Sequence, residues 1–123
     1  MKSYNNVTLI GRAVKAPELK DCGKSSTRAG FVLAVDRPYK DSEGKRPTDF
    51  LHIVSWGKLA EICSEYIKKG SLVLVSGRIQ ARSYELNNEA RWITEIIAES
   101  VNVLEYRNET TEEKEEEKEA VAA

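Results

Sequence analysis

Four ring-bearing residues, Tyr39, Phe50, Trp56 and Tyr84, alternate along the chain with Arg37, Lys40, Lys58, Arg78 and Arg82. Flat rings offer faces on which bases stack, and fixed cations between them meet phosphates. The pattern therefore suits a ligand with exposed bases on a phosphate backbone, and single-stranded nucleic acid is the ligand it predicts. Catalytic constellations are poor by comparison. His52 is the sole histidine, and no serine elbow, P-loop, Cys–His pair or HExxH motif accompanies it. Asp36, Asp49, Glu61 and Glu65 have no spacing that would gather them around a metal. Cys22 and Cys63 are far apart, and with His52 they are too few for a zinc site. Both read as free thiols, Cys63 at an apolar helical position where a buried thiol packs as a small hydrophobe. The expectation is a binding protein, not an enzyme, with no metal and no cofactor.

Those side chains need elements to aim them. Residues 5–15 are rich in β-branched and aliphatic types and meet Ala16-Pro17, which should end a first strand. Residues 21–26 read as a turn and 30–35 as a second strand. Residues 37–47 hold Gly44 and two prolines, the signature of a long polar loop. Residues 48–56 restore a two-residue period, with Phe50, His52, Val54 and Trp56 on one face and Asp49, Leu51, Ile53 and Ser55 on the other. A Trp in a small domain is commonly core, but Leu51 and Ile53 already supply the inward face here, so Phe50 and Trp56 are expected outside.

Residues 57–70 switch to a helical period. Leu59, Ile62, Cys63, Tyr66 and Ile67 form an inward stripe, and Gly70 is placed to cap the end. A fourth strand over 71–85 sends Arg78, Gln80, Arg82 and Tyr84 to one face, and Gly77, Ile79, Ala81 and Ser83 to a face expected to line the interior. Arg78 and Arg82 suit phosphates, but ion pairs across the sheet to Glu95 or Glu99 would suit them equally; Tyr84 beside them favours binding. A turn at 86–89 leads to a fifth strand over 91–104, where Trp92 could close the barrel. Gly11, Gly57 and Gly77 mark points where a coiled sheet could bend. Three strands, one helix and a long hairpin fit an all-β, five-stranded Greek-key barrel of the OB type, with the helix between strands three and four. One helix cannot cover both faces of a doubly wound parallel sheet.

The chain has 123 residues, enough for one domain with a real core. Its net charge of -1 hides an asymmetry: residues 1–104 hold 16 Lys and Arg against 12 Asp and Glu, while 105–123 hold 3 against 8. The expected division is a mildly basic domain over residues 1–105 and an acidic, solvated tail over 106–123. With neither a secretory leader nor a membrane-spanning run in the sequence, a cytoplasmic location is expected.

The fragments NxVxLIGR at 5–12, PEL at 17–19, FVLAV at 31–35, TDF at 48–50, WGKLAE at 56–61, YIKKGS at 66–71, GRIQARSYE at 77–85 and TEIIAESV at 94–101 occur in one order. Together they resemble the bacterial single-stranded DNA-binding protein family over roughly residues 4–105. The resemblance implies an OB fold assembled as a homotetramer that binds single strands with little sequence preference in replication, recombination and repair, in association with the nucleoid. It places the family's stacking positions on Tyr39, Phe50, Trp56 and Tyr84 and its basic contacts on Lys58, Lys69 and Arg82, with Lys68 beside them. It also gives Val7 and Leu9 of the first strand an intersubunit role. One departure is clear: family members carry a Gly-, Pro- and Gln-rich linker and an acidic tip ending in Pro-Phe, whereas this chain ends EEEKEAVAA. Recruitment of replication proteins by that route is in doubt. An RNA-binding or primosome-accessory OB protein is the alternative, and a protein-interaction adaptor acting through the acidic tail a more distant one.

Overall fold

Six stretches with extended backbone pair into a single sheet in the computed structural model, which describes residues 2–21 and 26–106. They are β1 (Val7–Ala13), β2 (Glu18–Asp21), β3 (Thr27–Asp36), β4 (Thr48–Trp56), β5 (Leu72–Leu86) and β6 (Glu89–Glu105), with α1 (Gly57–Tyr66) between β4 and β5. The order across the sheet is β1-β5-β6-β4-β3-β2, and β1 also meets β3 through Arg12 beside Ala34 and Ala13 beside Leu33. That second pairing closes β1, β3, β4, β6 and β5 into a barrel. Only β4 and β6 run parallel, at Ile53 beside Ile96 and Val54 beside Ile97; the other pairs are antiparallel. This is the five-stranded OB barrel expected, with the helix between its third and fourth strands.

The additional strand is β2, appended to β3 from Glu18 opposite Gly30 to Asp21 opposite Thr27. Its four residues are all exposed, so no apolar alternation announces it. Residue 21, expected to open a turn, ends this strand instead.

Alternation builds the interior elsewhere. Phe31 and Leu33 from β3, Ile53 from β4, Val73 and Val75 from β5, and Ile96 and Ala98 from β6 meet Cys63 and Ile67 from the helical segment. Cys63 is a buried free thiol, pushed above its usual range by burial, as its apolar position suggested. Cys22 lies outside the described residues.

Two expectations about the helix are corrected. It ends at Tyr66 because Ile67 adopts extended backbone (φ -87, ψ 125), its N–H still donating to the Cys63 carbonyl at 3.0 Å. Gly70 is therefore no helix cap. It is the third residue of a turn closed by Ser71 N–H to the Lys68 carbonyl at 3.1 Å, and its φ of 86 is what a type II turn asks of that position. Tyr66 is also not core: it is 47% exposed, because a helix packed against one side of the barrel buries only the narrow stripe of Ala60 and Cys63, continued by Ile67.

The long hairpin brings a further correction. In β5 burial alternates as far as Gly77, and every residue from Arg78 to Leu86 is exposed. Ile79, Ala81 and Ser83 thus face no interior, and Trp92, 73% exposed, does not close the barrel. At Gly77 the register with β6 slips by one, and a Cβ there would run into the Ile97 carbonyl. This bulge marks where the ribbon leaves the barrel wall. Beyond it β5 and β6 form a free-standing arm, closed by Asn87 and Asn88 with φ of 52 and 64, the two-residue turn that Asn tolerates.

In β1, Val7 and Leu9 are half-buried against the core, so the outward side of that strand presents Thr8 and Ile10.

Candidate nucleic-acid interface

Directly paired residues in a sheet share a face, so the registers alone show which side chains stand together. Phe50 pairs with Ala34, His52 with Val32, Val54 with Gly30 and Trp56 with Arg28. Glu18 and Lys20 of β2 continue this face beyond Gly30 and Arg28. On the other side of β4, Val54 pairs with Ile97, which pairs in turn with Arg78; Gln80 pairs with Glu95, Arg82 with Ile93 and Tyr84 with Arg91. One continuous outer face therefore carries Phe50, Trp56, Arg78, Arg82 and Tyr84. It runs from the arm across the barrel wall to β2.

Phe50 is 63% and Trp56 45% exposed, with Leu51 half-buried and Ile53 and Ser55 buried on the opposite side, as the alternation required. Val54 departs from that reading. It lies on the outer face yet is buried, because it sits between Gly30 and Ile97 and forms a floor there.

Tyr39 and Arg37 belong to the loop between β3 and β4, and a fork of hydrogen bonds fixes them. Arg37 Nε and Nη2 donate to the two Asp49 carboxylate oxygens at 2.9–3.3 Å, while Nη1 donates to the Tyr39 hydroxyl at 2.9 Å. Asp49 belongs to β4, so the loop's ring is tied to the strand that carries Phe50 and Trp56. The hydrogen bonds from Arg37 hold the Asp49 carboxyl below its ordinary value and the guanidinium above its own. Lys40 is exposed on the same loop.

The arginines of β5 are already engaged. Arg82 Nε donates to Glu95 Oε1 at 2.7 Å, which raises the guanidinium above its ordinary value, and Arg78 approaches Glu99 at 3.7 Å. Both ion pairs considered from the sequence thus form. Glu95 is unusual for a paired carboxylate because it is only 5% exposed. Arg28 reaches its other oxygen at 3.3 Å, so this one group links β3, β6 and the base of the arm. Arg28 was not among the candidates, since on sequence it is one cation beside an undistinguished turn. Only the register beside Trp56 reveals it.

The remaining lysines are dispersed. Lys58 follows Trp56 closely, in the first turn of α1. Lys68 and Lys69 lie on the turn leading to β5, next to the end of β1, where Gly70 N–H donates to the Ala13 carbonyl. No registered pair places these two on the ring-bearing face. Among the described residues no three His, Cys, Asp or Glu side chains are grouped to hold a metal ion, and no helix is long and apolar enough to cross a membrane. The acidic tail beyond Tyr106 lies outside the described residues.

The sequence also matches known proteins. The model described as "Single-strand binding protein family" matches residues 4–104. A "Single-stranded DNA-binding protein" of Halalkalibacterium halodurans is 49% identical over 105 residues, covering 84% of this chain and 62% of that protein. "Single-stranded DNA-binding protein 3" of Clostridium acetobutylicum is 51% identical over 104 residues, covering 83% and 72%. A "Single-stranded DNA-binding protein" of Caldanaerobacter subterraneus subsp. tengcongensis is 46% identical over 102 residues, covering 82% and 68%. The match thus spans less than two thirds of the Halalkalibacterium protein. An OB barrel whose outer face combines rings and cations, matched almost end to end by the family model, places this chain in the single-strand binding protein family.

Proposed function

We propose that this chain binds and coats single-stranded DNA without strong sequence preference, as a non-catalytic protein of replication, recombination and repair. The observation that carries the reading is the shared face of Phe50 and Trp56 with Arg78, Arg82 and Tyr84. Rings on such a face stack on bases at roughly 1–3 kcal/mol each while the cations follow the phosphates. The names of the relatives from Halalkalibacterium and Clostridium point the same way. Tyr39, Lys40 and Arg37 would extend the contact from the loop, and Lys58, Lys68 and Lys69 would serve phosphates near the helix.

The assembly in this reading is a cytoplasmic, nucleoid-associated homotetramer. Ile10, 52% exposed on the outward side of β1, supports an apolar contact between copies there. The division into a binding domain over 1–105 and an acidic tail over 106–123 belongs to the same proposal.

Titration with oligo-dT while following tryptophan fluorescence tests it. Trp92 is exposed too, so the measurement uses a Trp92→Phe background in which Trp56 is the only indole. Quenching at low salt that fades as salt rises is the expected result. No quenching at low salt rejects the stacking site, and tighter binding of oligo-U than of oligo-dT would favour the RNA-binding alternative. Light scattering with and without poly-dT reads the assembly state.

A further inference from the structure

Phe50, His52, Val54 and Trp56 stand in succession on the outer face of β4. At about 3.3 Å per residue the two rings are separated by about 20 Å along the strand, whereas neighbouring nucleotides of a stacked strand are about 3.4 Å apart. Bases stacked on Phe50 and on Trp56 are therefore not adjacent. The nucleotides between them must cross the middle of the face, and that middle is not flat. It holds a cavity of about 260 Å³.

The cavity exists because Gly30, paired with Val54, contributes no side chain. Backbone geometry does not demand glycine there, for its φ is outside the left-handed region. A Cβ would meet only Arg28 Nη1 at 3.5 Å and the Ile53 carbonyl at 3.9 Å, ordinary contacts. What glycine supplies is space. Val32 and Val54 line the cavity with apolar surface, and His52, Arg28 and Glu95 give it polar walls.

The geometry points to a subsite for one unpaired nucleobase between the two stacking rings, an assignment that rests on the single-stranded DNA reading. The apolar surface suits the face of a base, and the walls suit its edge. Glu95 accepts from Arg82 through Oε1 and from Arg28 through Oε2. A carboxylate has about four acceptor positions, so capacity remains for a base N–H, while the guanidinium of Arg28 has donors for a base carbonyl or ring nitrogen. An acceptor beside a donor meets the mixed edge that every base presents. The subsite therefore adds affinity without imposing a sequence.

The test fills the space and substitutes none of the rings or cations. In the full chain, Gly30→Ala should bind oligo-dT as the parent does, and Gly30→Leu should bind it about tenfold more weakly, the loss of one base contact. The slope of log K against log salt should stay the same, because no phosphate contact is removed. An abasic oligonucleotide of equal length should bind the parent and Gly30→Leu equally. That comparison separates loss of a base site from general damage to the face, which would weaken both ligands. Unchanged oligo-dT affinity in Gly30→Leu, a changed salt slope, or an equal loss on the abasic strand would each overturn the subsite. Failure of the parent itself to bind oligo-dT would overturn the underlying reading instead.

Discussion

The two halves of β5 obey different rules. Residues 72–77 alternate between buried and half-buried positions with Val73 and Val75 in the core, whereas residues 78–86 bury nothing on either face. In the first half, hydrophobic burial fixes which way each side chain points. In the second it cannot, since an isolated two-stranded ribbon is only marginally stable. Three local devices hold the arm instead: the Asn87-Asn88 turn, the Glu95 junction at its base, and Asn5, whose side-chain amide donates to the Ile79 carbonyl at 2.7 Å and accepts from the Ile79 N–H at 2.9 Å. A wall built by burial is rigid, and a ribbon built by a few polar contacts can yield to a strand laid across it.

If burial separates the halves, their responses to truncation must differ widely. Leu33→Ala, at a fully buried position, should cost about 2–5 kcal/mol in urea unfolding. Ile79→Ala on the arm should stay within about 0.5 kcal/mol. Comparable losses at the two sites would mean that the arm packs against something in solution.

The two exposed indoles sharpen the same contrast on the binding side. Trp56 lies on the face shared with Arg82, while Trp92 pairs with Ser83 on the reverse of the arm. Trp56→Ala should lose about 1–3 kcal/mol of oligo-dT affinity and leave the fold intact, with Trp92→Phe close to the parent. Equal losses would show that DNA uses both faces of the ribbon.

The barrel was legible in the sequence because its strands each bury one face. The 48–56 segment shows this best: its alternation placed Phe50 and Trp56 outside and Ile53 inside. The same logic failed one strand later. Gly77, Ile79, Ala81 and Ser83 look like an inward face, but side-chain period says only that two faces exist and not that either is covered. The β2 strand was invisible for a related reason, since it pairs with β3 through its backbone and its residues are all exposed. Tyr66 misled because a helical stripe of apolar residues can be wider than the surface available to receive it. Arg28 could not have been found at all without register, which brings it beside Trp56 and onto Glu95 from a distant part of the chain.

Glu95 offers an intermediate effect. Glu95→Ala removes the acceptor shared by Arg28 and Arg82 at a nearly buried site, and should cost about 1–3 kcal/mol. Hydrogen exchange should locate the damage: amides of the arm should exchange faster while those of Val73 and Val75 keep their protection. Uniform acceleration would place Glu95 in the barrel's cooperative unit instead.

The smallest expected effect belongs to the loop on the barrel side. Arg37 lowers the Asp49 carboxyl below its ordinary 3.8 through hydrogen bonds, so the folded state favours the ionised form. A depressed carboxyl contributes stability that is present above its unfolded value and lost as pH falls through the folded one. Melting temperature should therefore be insensitive to this pair near neutrality and should decline below about pH 4. Asp49→Asn should flatten that part of the acid limb and barely move the neutral melting point, because the pair is exposed and screened by solvent. It also releases Arg37 and, with it, the Tyr39 hydroxyl, so the loop ring should lose its tether to β4. A variant with an unchanged acid limb would show that Asp49 carries no ion pair in solution, and Tyr39 would then be held by the backbone of its loop alone.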